Sequence, residues 1–374
     1  MQTLKDITRF ENVPILVRAA LNVPIKDGKV VDAFRLRRAI ATIEYLQSRK
    51  ARVIIIGHIG EKGTETLLPV YEALKQQFSA LTFCPVPTGK VVRQAAAALL
   101  PGEMLMLENL RRVRGEVAND QALAQELASH ADLFVQDSFD VCHRKHASVV
   151  GVPALLPSFA GLLLEEEVRE LSKALTPKSP SLAIIGGAKF ATKEPVLKKL
   201  LNTYDHVFVG GALANDFMAE LGLPMEYSLI STEGRESIRA LATHPRLLLP
   251  KDEIIGTPGT KGRVGKLDGK APFEAILDDG PNTITMLEGY ALRAKSILWN
   301  GPLGNYENGF VAGTQGAARA IAKSSAHSIV GGGDTVAAIE SLGLNDRFSF
   351  ISTGGGAMLE FLATGTLPGI EALD

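Results

Sequence analysis

A chain of 374 residues is long enough for two domains that each bury a core, and a net charge of −1 excludes a whole-molecule field drawing it to nucleic acid or membrane. Hydrophobic residues at 46% and charged ones at 22% are ordinary for a soluble globular protein, and aromatics at 6% do not interleave with the basic clusters as in a nucleic-acid binder. No run approaches about eighteen apolar residues, Met1–Asp6 has no apolar leader, and Cys84 and Cys142 lack metal-type spacing, so a reducing, cytoplasmic home is expected.

Strand-like and helical runs alternate through the first half. Strands are expected at Val13–Val17, Ala51–Gly57, Met104–Leu107 and Leu133–Gln136, with helices at Leu36–Leu46, Pro69–Gln77 and Gln121–Ala128. That succession implies βαβ units and a parallel sheet, whose ligands sit beyond the carboxyl ends of the strands. Those ends carry Arg18 and Asn22, then Gly57-His58-Ile59-Gly60, Glu108-Asn109-Leu110-Arg111, and Asp137 through His143-Arg144-Lys145-His146, while Arg35 opens the helix after the first strand. Arg35, His58, Arg111 and Arg144 are expected to converge on one rim, a basin for a small phosphorylated acid. His143 and His146 could share a helical face, but no third ligand accompanies them and a metal site is discounted.

Ala160–Leu175 reads as an amphipathic connector helix stopped by Thr176-Pro177, with hinge motion expected at its ends. The alternation then restarts. Leu182–Ile185 leads into Gly186-Gly187-Ala188-Lys189 and Lys193, Val207–Val209 into Gly210-Gly211-Ala212, and Ile297–Trp299 into Asn300-Gly301 with Glu307 close behind. Ser328–Val330 leads into Gly331-Gly332-Gly333-Asp334-Thr335, and Phe348–Ser352 into Gly354-Gly355-Gly356. Glycines at a helix start leave backbone N–H groups bare where the dipole is positive, which favours phosphate. Asp334 and Thr335 add a carboxylate and a hydroxyl suited to a magnesium–nucleotide. No Walker A loop is present. An extended nucleotide lying across five strand ends is the economical reading.

These blocks together resemble the phosphoglycerate kinase family over essentially the full chain. They are R-A-A-L-N-V-P with D-G-K, E-N-L-R, H-R-K-H-A-S, the connector helix, G-G-A-K, L-D-D-G-P-N-T, W-N-G-P-L-G, G-G-G-D-T and S-T-G-G-G-A. The resemblance implies an α/β fold of two Rossmann-like parallel-sheet domains facing a cleft and joined by a connector helix. Residues 1–158 would form the acid-substrate domain with the tail 364–374 packing back on it, 159–176 the connector and 177–363 the nucleotide domain. It implies a monomeric glycolytic enzyme that exchanges phosphoryl between 1,3-bisphosphoglycerate and ADP with magnesium. Asn22, Arg35, His58, Arg111 and Arg144 match its substrate positions. Gly186, Lys189, Lys193, Gly210, Gly211, Asn300, Glu307, Gly331, Gly332, Gly333, Asp334 and Thr335 match nucleotide positions, Asp334 also holding the metal. Arg35, Lys193, Gly354 and Gly355 match those around the transferring group.

Two departures fall in the acid site: Ala20 where the family has Asp, and Glu61 where it has Arg. Ala212 replaces a third glycine. If Glu61 points away, Lys62, Arg112 or Lys145 could fill in. The departures leave open a nucleotide-binding paralogue with little kinase activity, or a kinase for another acyl phosphate.

Overall fold

The computed structural model describes residues 1–31, 34–225, 227–257, 259–265 and 273–374. Strands, numbered along the chain, are β1 (Pro14–Ala19), β2 (Ile25–Lys26), β3 (Lys29–Val30), β4 (Arg52–Ile56), β5 (Leu81–Cys84), β6 (Met104–Leu107), β7 (Leu133–Asp137) and β8 (Ser158–Ala160). The second half contributes β9 (Ser181–Ile185), β10 (His206–Val209), β11 (Leu247–Leu248), β12 (Glu253–Gly256), β13 (Arg263–Gly265), β14 (Ala275–Asp279), β15 (Ser296–Asn300), β16 (His327–Gly331) and β17 (Phe350–Ile351).

Chain packing separates two units, Met1–Arg169 with Thr366–Asp374, and Glu170–Gly365. The first is built on a six-stranded sheet in the order β5-β6-β4-β1-β7-β8, every pair parallel. Its central strands are unbroken apolar runs such as Val53-Ile54-Ile55-Ile56, all buried, as befits strands covered on both faces. The tail belongs to this unit: the Gly369 N–H donates to the Cys142 carbonyl at 2.8 Å, and the terminal amine meets Asp374 at 2.5 Å. Between β2 and β3, Asp27 and Gly28 both take positive φ (50° and 72°) in a two-residue hairpin turn.

The second unit holds a parallel sheet in the order β11-β10-β9-β15-β16-β17, with Trp299 at its core, fully buried. It also carries an antiparallel sheet, β13-β12-β14, that the sequence pattern does not announce. Elsewhere the expected elements form with shifts of a residue or two. Leu36–Leu46 extends to Phe34–Ser48, and the connector helix is Leu162–Leu175. The run Phe348–Ser352 shrinks to the two residues of β17, because a 3₁₀ turn at Asn345–Arg347 draws the Phe348 N–H back to Asn345.

The junction of β7 and the helix Leu162–Leu175 rests on one buried carboxyl. Asp137 accepts the N–H groups of Leu163 (3.0 Å) and Leu164 (3.3 Å), while Thr42 Oγ1 accepts that of Leu162 at 2.9 Å. Burial pushes the Asp137 carboxyl up to about 8, against the opposing pull of Thr42 and the two N–H groups. A raised folded value means stability that is complete below the ordinary carboxylate range and is lost as pH rises towards about 8. Asp137→Asn keeps an acceptor for the helix N–H groups and removes the titration. Between about pH 5 and pH 9 the wild-type chain should therefore lose on the order of 4 kcal/mol relative to the variant. Parallel thermal-denaturation profiles for the two proteins would refute this account of Asp137.

Candidate active site

In the first unit the sheet order sets the carboxyl ends of β6, β4, β1 and β7 side by side, and Arg111, His58, Arg18 with Asn22, and Arg144 follow from these ends. Asn22 links the pieces: its carbonyl accepts Arg35 Nη1 at 2.9 Å and its Oδ1 accepts the Gly60 N–H at 3.1 Å. The Gly60 carbonyl in turn accepts Arg111 Nη1. His58 lies within reach of the charges of Arg111, Arg144 and His146. Arg35 and Arg111 are thus joined through Asn22 and Gly60, and the charge of Arg144 acts on His58 and Arg111 within the same unit.

Arg18 is the residue whose role the sequence did not reveal. It is fully buried, with Nε donating to Ser148 Oγ (2.9 Å), Nη1 to the Ala19 carbonyl (3.0 Å) and Nη2 to His58 Nδ1 (2.8 Å). Ser148 passes the charge on to buried Glu116, its hydroxyl donating to Oε1 at 2.6 Å and its N–H to Oε2 at 3.0 Å. A guanidinium can only donate, so Nδ1 of His58 accepts and the ring proton is assigned to Nε2. Burial first, then Arg18, Arg111, His146 and Arg144, hold His58 well below its ordinary value, and it is neutral near pH 7. Burial and the three arginines likewise bring His146 down to about 4. A histidine set among cations is badly placed to ligate another, and among the described residues no group of three or more His, Cys, Asp or Glu could hold a metal. The rim is a positive cluster whose members repel one another, an arrangement that an anion relieves.

In the second unit β10, β9, β15, β16 and β17 are consecutive in the sheet, so the five glycine-bearing ends form one row. They interlock through backbone. Gly186 N–H donates to the Asn300 carbonyl (2.9 Å) and Gly187 N–H to that of Pro302 (2.8 Å). A Cβ on Gly186 would lie 2.2 Å from the Pro302 oxygen, and one on Gly301 2.4 Å from the Gly186 oxygen. Thr335 is fully buried, and its hydroxyl accepts the Gly301 N–H at 3.1 Å, tying the turn after β15 to that after β16. Asn300 is also buried, with Nδ2 directed to the Gly355 carbonyl at 3.4 Å. Gly210 and Gly211 follow β10, and Gly331 closes β16. Gly332 and Gly354 precede the helices Gly333–Ser341 and Gly355–Thr364, whose first N–H groups border the row.

Lys189 is exposed and held in the left-handed region at φ 63°. Lys193 is half-buried beside Gly187 and occupies the N-cap of the helix Glu194–Thr203, where the helix dipole disfavours a cation. Burial lowers its pKa. An anion placed there satisfies ammonium and dipole together. Asp334 and Glu307 are brought together on the other side of the row: burial and then the Glu307 charge raise the Asp334 carboxyl. A cation shared with phosphate oxygens would relieve that repulsion, and one or two carboxylates suffice for magnesium, which keeps its remaining positions for phosphate and water. A groove of about 390 Å³ opens nearby, lined by Ala188, Lys189, Phe190, Ala212, Leu229 and Ile230 among others. Leu229 and Ile230 were not singled out in the sequence; their 64% and 41% exposure in an apolar stretch is the structural sign.

A family model described as phosphoglycerate kinase matches residues 4–365. The chain belongs to the phosphoglycerate kinase family. Phosphoglycerate kinase of Thermus thermophilus is 41% identical, with 100% of each chain covered, and that of Moorella thermoacetica 40% identical, covering 99% of this chain and 98% of its own. The solved phosphoglycerate kinase of Coxiella burnetii has a TM-score of 0.84 at 36% identity, covering 99% of this chain and 98% of that one. That of Pyrococcus horikoshii reaches 0.89 at 29% identity, covering 100% and 98%. The chain is therefore a phosphoglycerate kinase-type enzyme with the fold of two parallel-sheet α/β domains.

The two departures from the family pattern can now be placed. Ala20 is fully buried and offers no acceptor. Glu61 is exposed, and its charge acts on Arg111. Arg112 does not fill in, because Glu108 Oε2 holds its guanidinium at 3.1 Å.

The row of turns yields a pair of contrasting substitutions. Nothing lies within 4 Å of a Cβ built on Gly333, whereas Gly186 has no room for one. Gly333→Ala should leave thermal stability unchanged or raised by about 0.5–1 kcal/mol, so any loss of ADP affinity in it reports the ligand alone. Gly186→Ala should cost about 2 kcal/mol or more. Equal stability of the two variants would show that the turns are not interlocked.

Proposed function

We propose that the chain catalyses reversible phosphoryl transfer between 1,3-bisphosphoglycerate and ADP, giving 3-phosphoglycerate and ATP in glycolysis and gluconeogenesis. The observation that carries this reading is the pairing, in a chain of this family, of an anion-deficient arginine cluster on one unit with an interlocked row of phosphate-type turns on the other. In this reading residues 1–158 with the tail 364–374 hold the acid, 177–363 hold the nucleotide, and 159–176 connect them. The enzyme is a cytoplasmic monomer without nucleic-acid or membrane partners.

Asn22, Arg35, His58, Arg111 and Arg144 bind the phosphorylated acid, with neutral His58 donating from Nε2. Arg18 holds that ring in place. Gly186, Gly210, Gly211, Asn300 and Gly331–Gly333 let the nucleotide lie close along the strand ends, and Thr335 keeps two of those turns in register. The groove at Leu229 and Ile230 takes the base, and Glu307 the ribose. Lys189 and Lys193 meet the phosphates, and Asp334 holds magnesium, which neutralises phosphate charge when bound. Phosphoryl transfer asks for positioning and charge neutralisation rather than a protein nucleophile. Arg35, Lys193 and the N–H groups at Gly354 and Gly355 supply both. Because acid and nucleotide residues belong to different units, the reading includes a hinge movement that brings the substrates together.

A coupled assay of ATP consumption on 3-phosphoglycerate with magnesium tests this reading. Turnover should fall by on the order of a hundredfold or more in Lys193→Ala with ADP affinity nearly unchanged, and disappear in Asp334→Ala. Intact ATP binding without turnover in the wild-type chain would instead support the second reading, a nucleotide-binding paralogue, which the Glu61 charge beside Arg111 favours.

The acid site has its own test. Glu61→Arg removes the opposing charge and should lower the KM for 3-phosphoglycerate about three- to tenfold, with kcat little changed. An unaltered KM would place Glu61 outside the acid's reach.

A further inference from the structure

The antiparallel sheet behind the row of turns contains two acidic side chains that the reaction as described does not use. Glu253 on β12 and Asp279 on β14 are direct cross-strand partners, so their side chains share one face of the ladder. Both are buried, Glu253 completely and Asp279 to 3% exposure. Among the described residues neither Glu253 oxygen finds an N–H or O–H donor, nor does Asp279 Oδ2, while Asp279 Oδ1 takes the Gly211 N–H at 3.4 Å. Two ionised carboxylates in such a place would each lack water and repel the other, a cost of several kcal/mol that a single proton removes.

Among the described residues the surrounding charges do not supply relief. The groups acting on the pair are Asp278 and Asp252, both of the same sign. Each is already satisfied elsewhere: Asp278 accepts the N–H groups of Gly313 and Asp279, and Asp252 those of Asn282 and Thr283. On β13, Arg263 is drawn to Glu274 at 2.7 Å. The space beside Gly210 that Asp279 Oδ2 borders is shared with Phe208 and Leu303, which carry no charge. Burial pushes both carboxyls well above the ordinary range, reinforced at Glu253 by Asp279 and at Asp279 by Asp278.

The pair also touches the candidate nucleotide site. A Cβ on Gly210 would lie 2.6 Å from Asp279 Oδ2, so the carboxyl is packed against the backbone of that turn. Gly211, whose N–H it accepts, sits against the Pro302 oxygen and the Gly187 nitrogen. Displacing Asp279 therefore displaces Gly210-Gly211 against the turns after β9 and β15.

We propose that Glu253 and Asp279 hold one proton between them, carried by Glu253 and donated to Asp279 Oδ2, and that this shared proton positions the Gly210-Gly211 turn for the nucleotide. The proposal rests on the reading of these turns as the nucleotide site. Both residues are positioning residues, acting through the turn. A raised folded value means that the hydrogen bond is lost as pH rises through the pair's titration, when the proton passes to water and two like charges remain.

The experiment compares Mg-ADP binding by the full-length wild-type chain and Glu253→Gln from about pH 6 to pH 9.5. Glutamine keeps the shape and replaces the shared proton by a permanent amide N–H. Affinities should agree within about twofold at the acid end, and the wild-type should weaken on the order of tenfold relative to the variant at the alkaline end. Titration of the ADP phosphates affects both proteins equally and cancels in the ratio. Coincident profiles with ADP bound overturn the proposal alone; no ADP binding by either protein overturns the functional reading and the proposal with it. Should Glu253→Gln fail to fold, the infrared carbonyl band of a protonated carboxyl decides, read in the Asp137→Asn chain so that the Asp137 carboxyl does not contribute. A band that fades in step with ADP affinity supports the shared proton, and its absence at neutral pH overturns it.

Discussion

The second unit depends on a steric constraint: backbone packed on backbone at the ends of β9 and β15. With a Cβ at Gly186 falling only 2.2 Å from the Pro302 oxygen, and one at Gly301 2.4 Å from the Gly186 oxygen, the two turns can exist only together. Their N–H groups are spent on each other, Gly186 on Asn300 and Gly187 on Pro302, and Gly301 is fixed from the third turn by Thr335. A loop in water pays conformational entropy for its shape. Here the shape is enforced by neighbours already held in the parallel ladder, so the N–H groups facing outward from the helix starts are oriented before any ligand arrives. Such preorganisation is the quantity a phosphoryl-transfer site needs most.

The two units solve opposite electrostatic problems. In the first, Arg111, Arg144, Arg18 and two histidines crowd together, and the strain appears as depressed proton affinity at His58, His146 and Arg111. In the second, carboxyls are brought close: Asp334 to Glu307, and Glu253 to Asp279 beneath the row. Each arrangement is costly alone and improved by a partner of opposite kind: an acid's phosphate for the first, and a cation or a proton for the second. Buried groups left in that condition mark where binding free energy is stored.

What could be read from the chain follows from how local each feature is. The parallel strands were legible because burial on both faces makes them continuous apolar runs, as in Val53–Ile56 and Leu182–Ile185, and the glycine turns follow them directly. The antiparallel sheet was not, because β12 enters through Lys251-Asp252-Glu253, a charged run that reads as surface until Asp252 is seen capping the helix Pro281–Arg293 and Glu253 facing Asp279. Arg18 was noticed as a residue but not as a buried one, since its partner Ser148 lies 130 residues away and reaches Glu116 in turn. Thr335 presents the same difficulty. A hydroxyl beside Asp334 suggests a ligand contact, and only the fold shows it accepting the Gly301 N–H. Side-chain destinations, more than element types, are what sequence periodicity leaves out.

The buried Arg18–Ser148–Glu116 chain is best understood by what it does to His58. Buried ion pairs return little net stability, because desolvation consumes most of their attraction. Retaining one fully enclosed therefore asks for another reason, and its geometry supplies it. Arg18 can only donate, and it is aimed at Nδ1 of His58, so the imidazole is left with a single proton on Nε2. Burial, and after it the surrounding arginines, then keep a second proton off the ring. The result is a neutral hydrogen-bond donor inside a strongly positive cluster, fixed in tautomer and orientation. A charged imidazolium would add one more repulsion to the cluster and make it sensitive to pH near neutrality. The arginines carry the charge, the histidine carries direction, and Glu116, through Ser148, holds both in place.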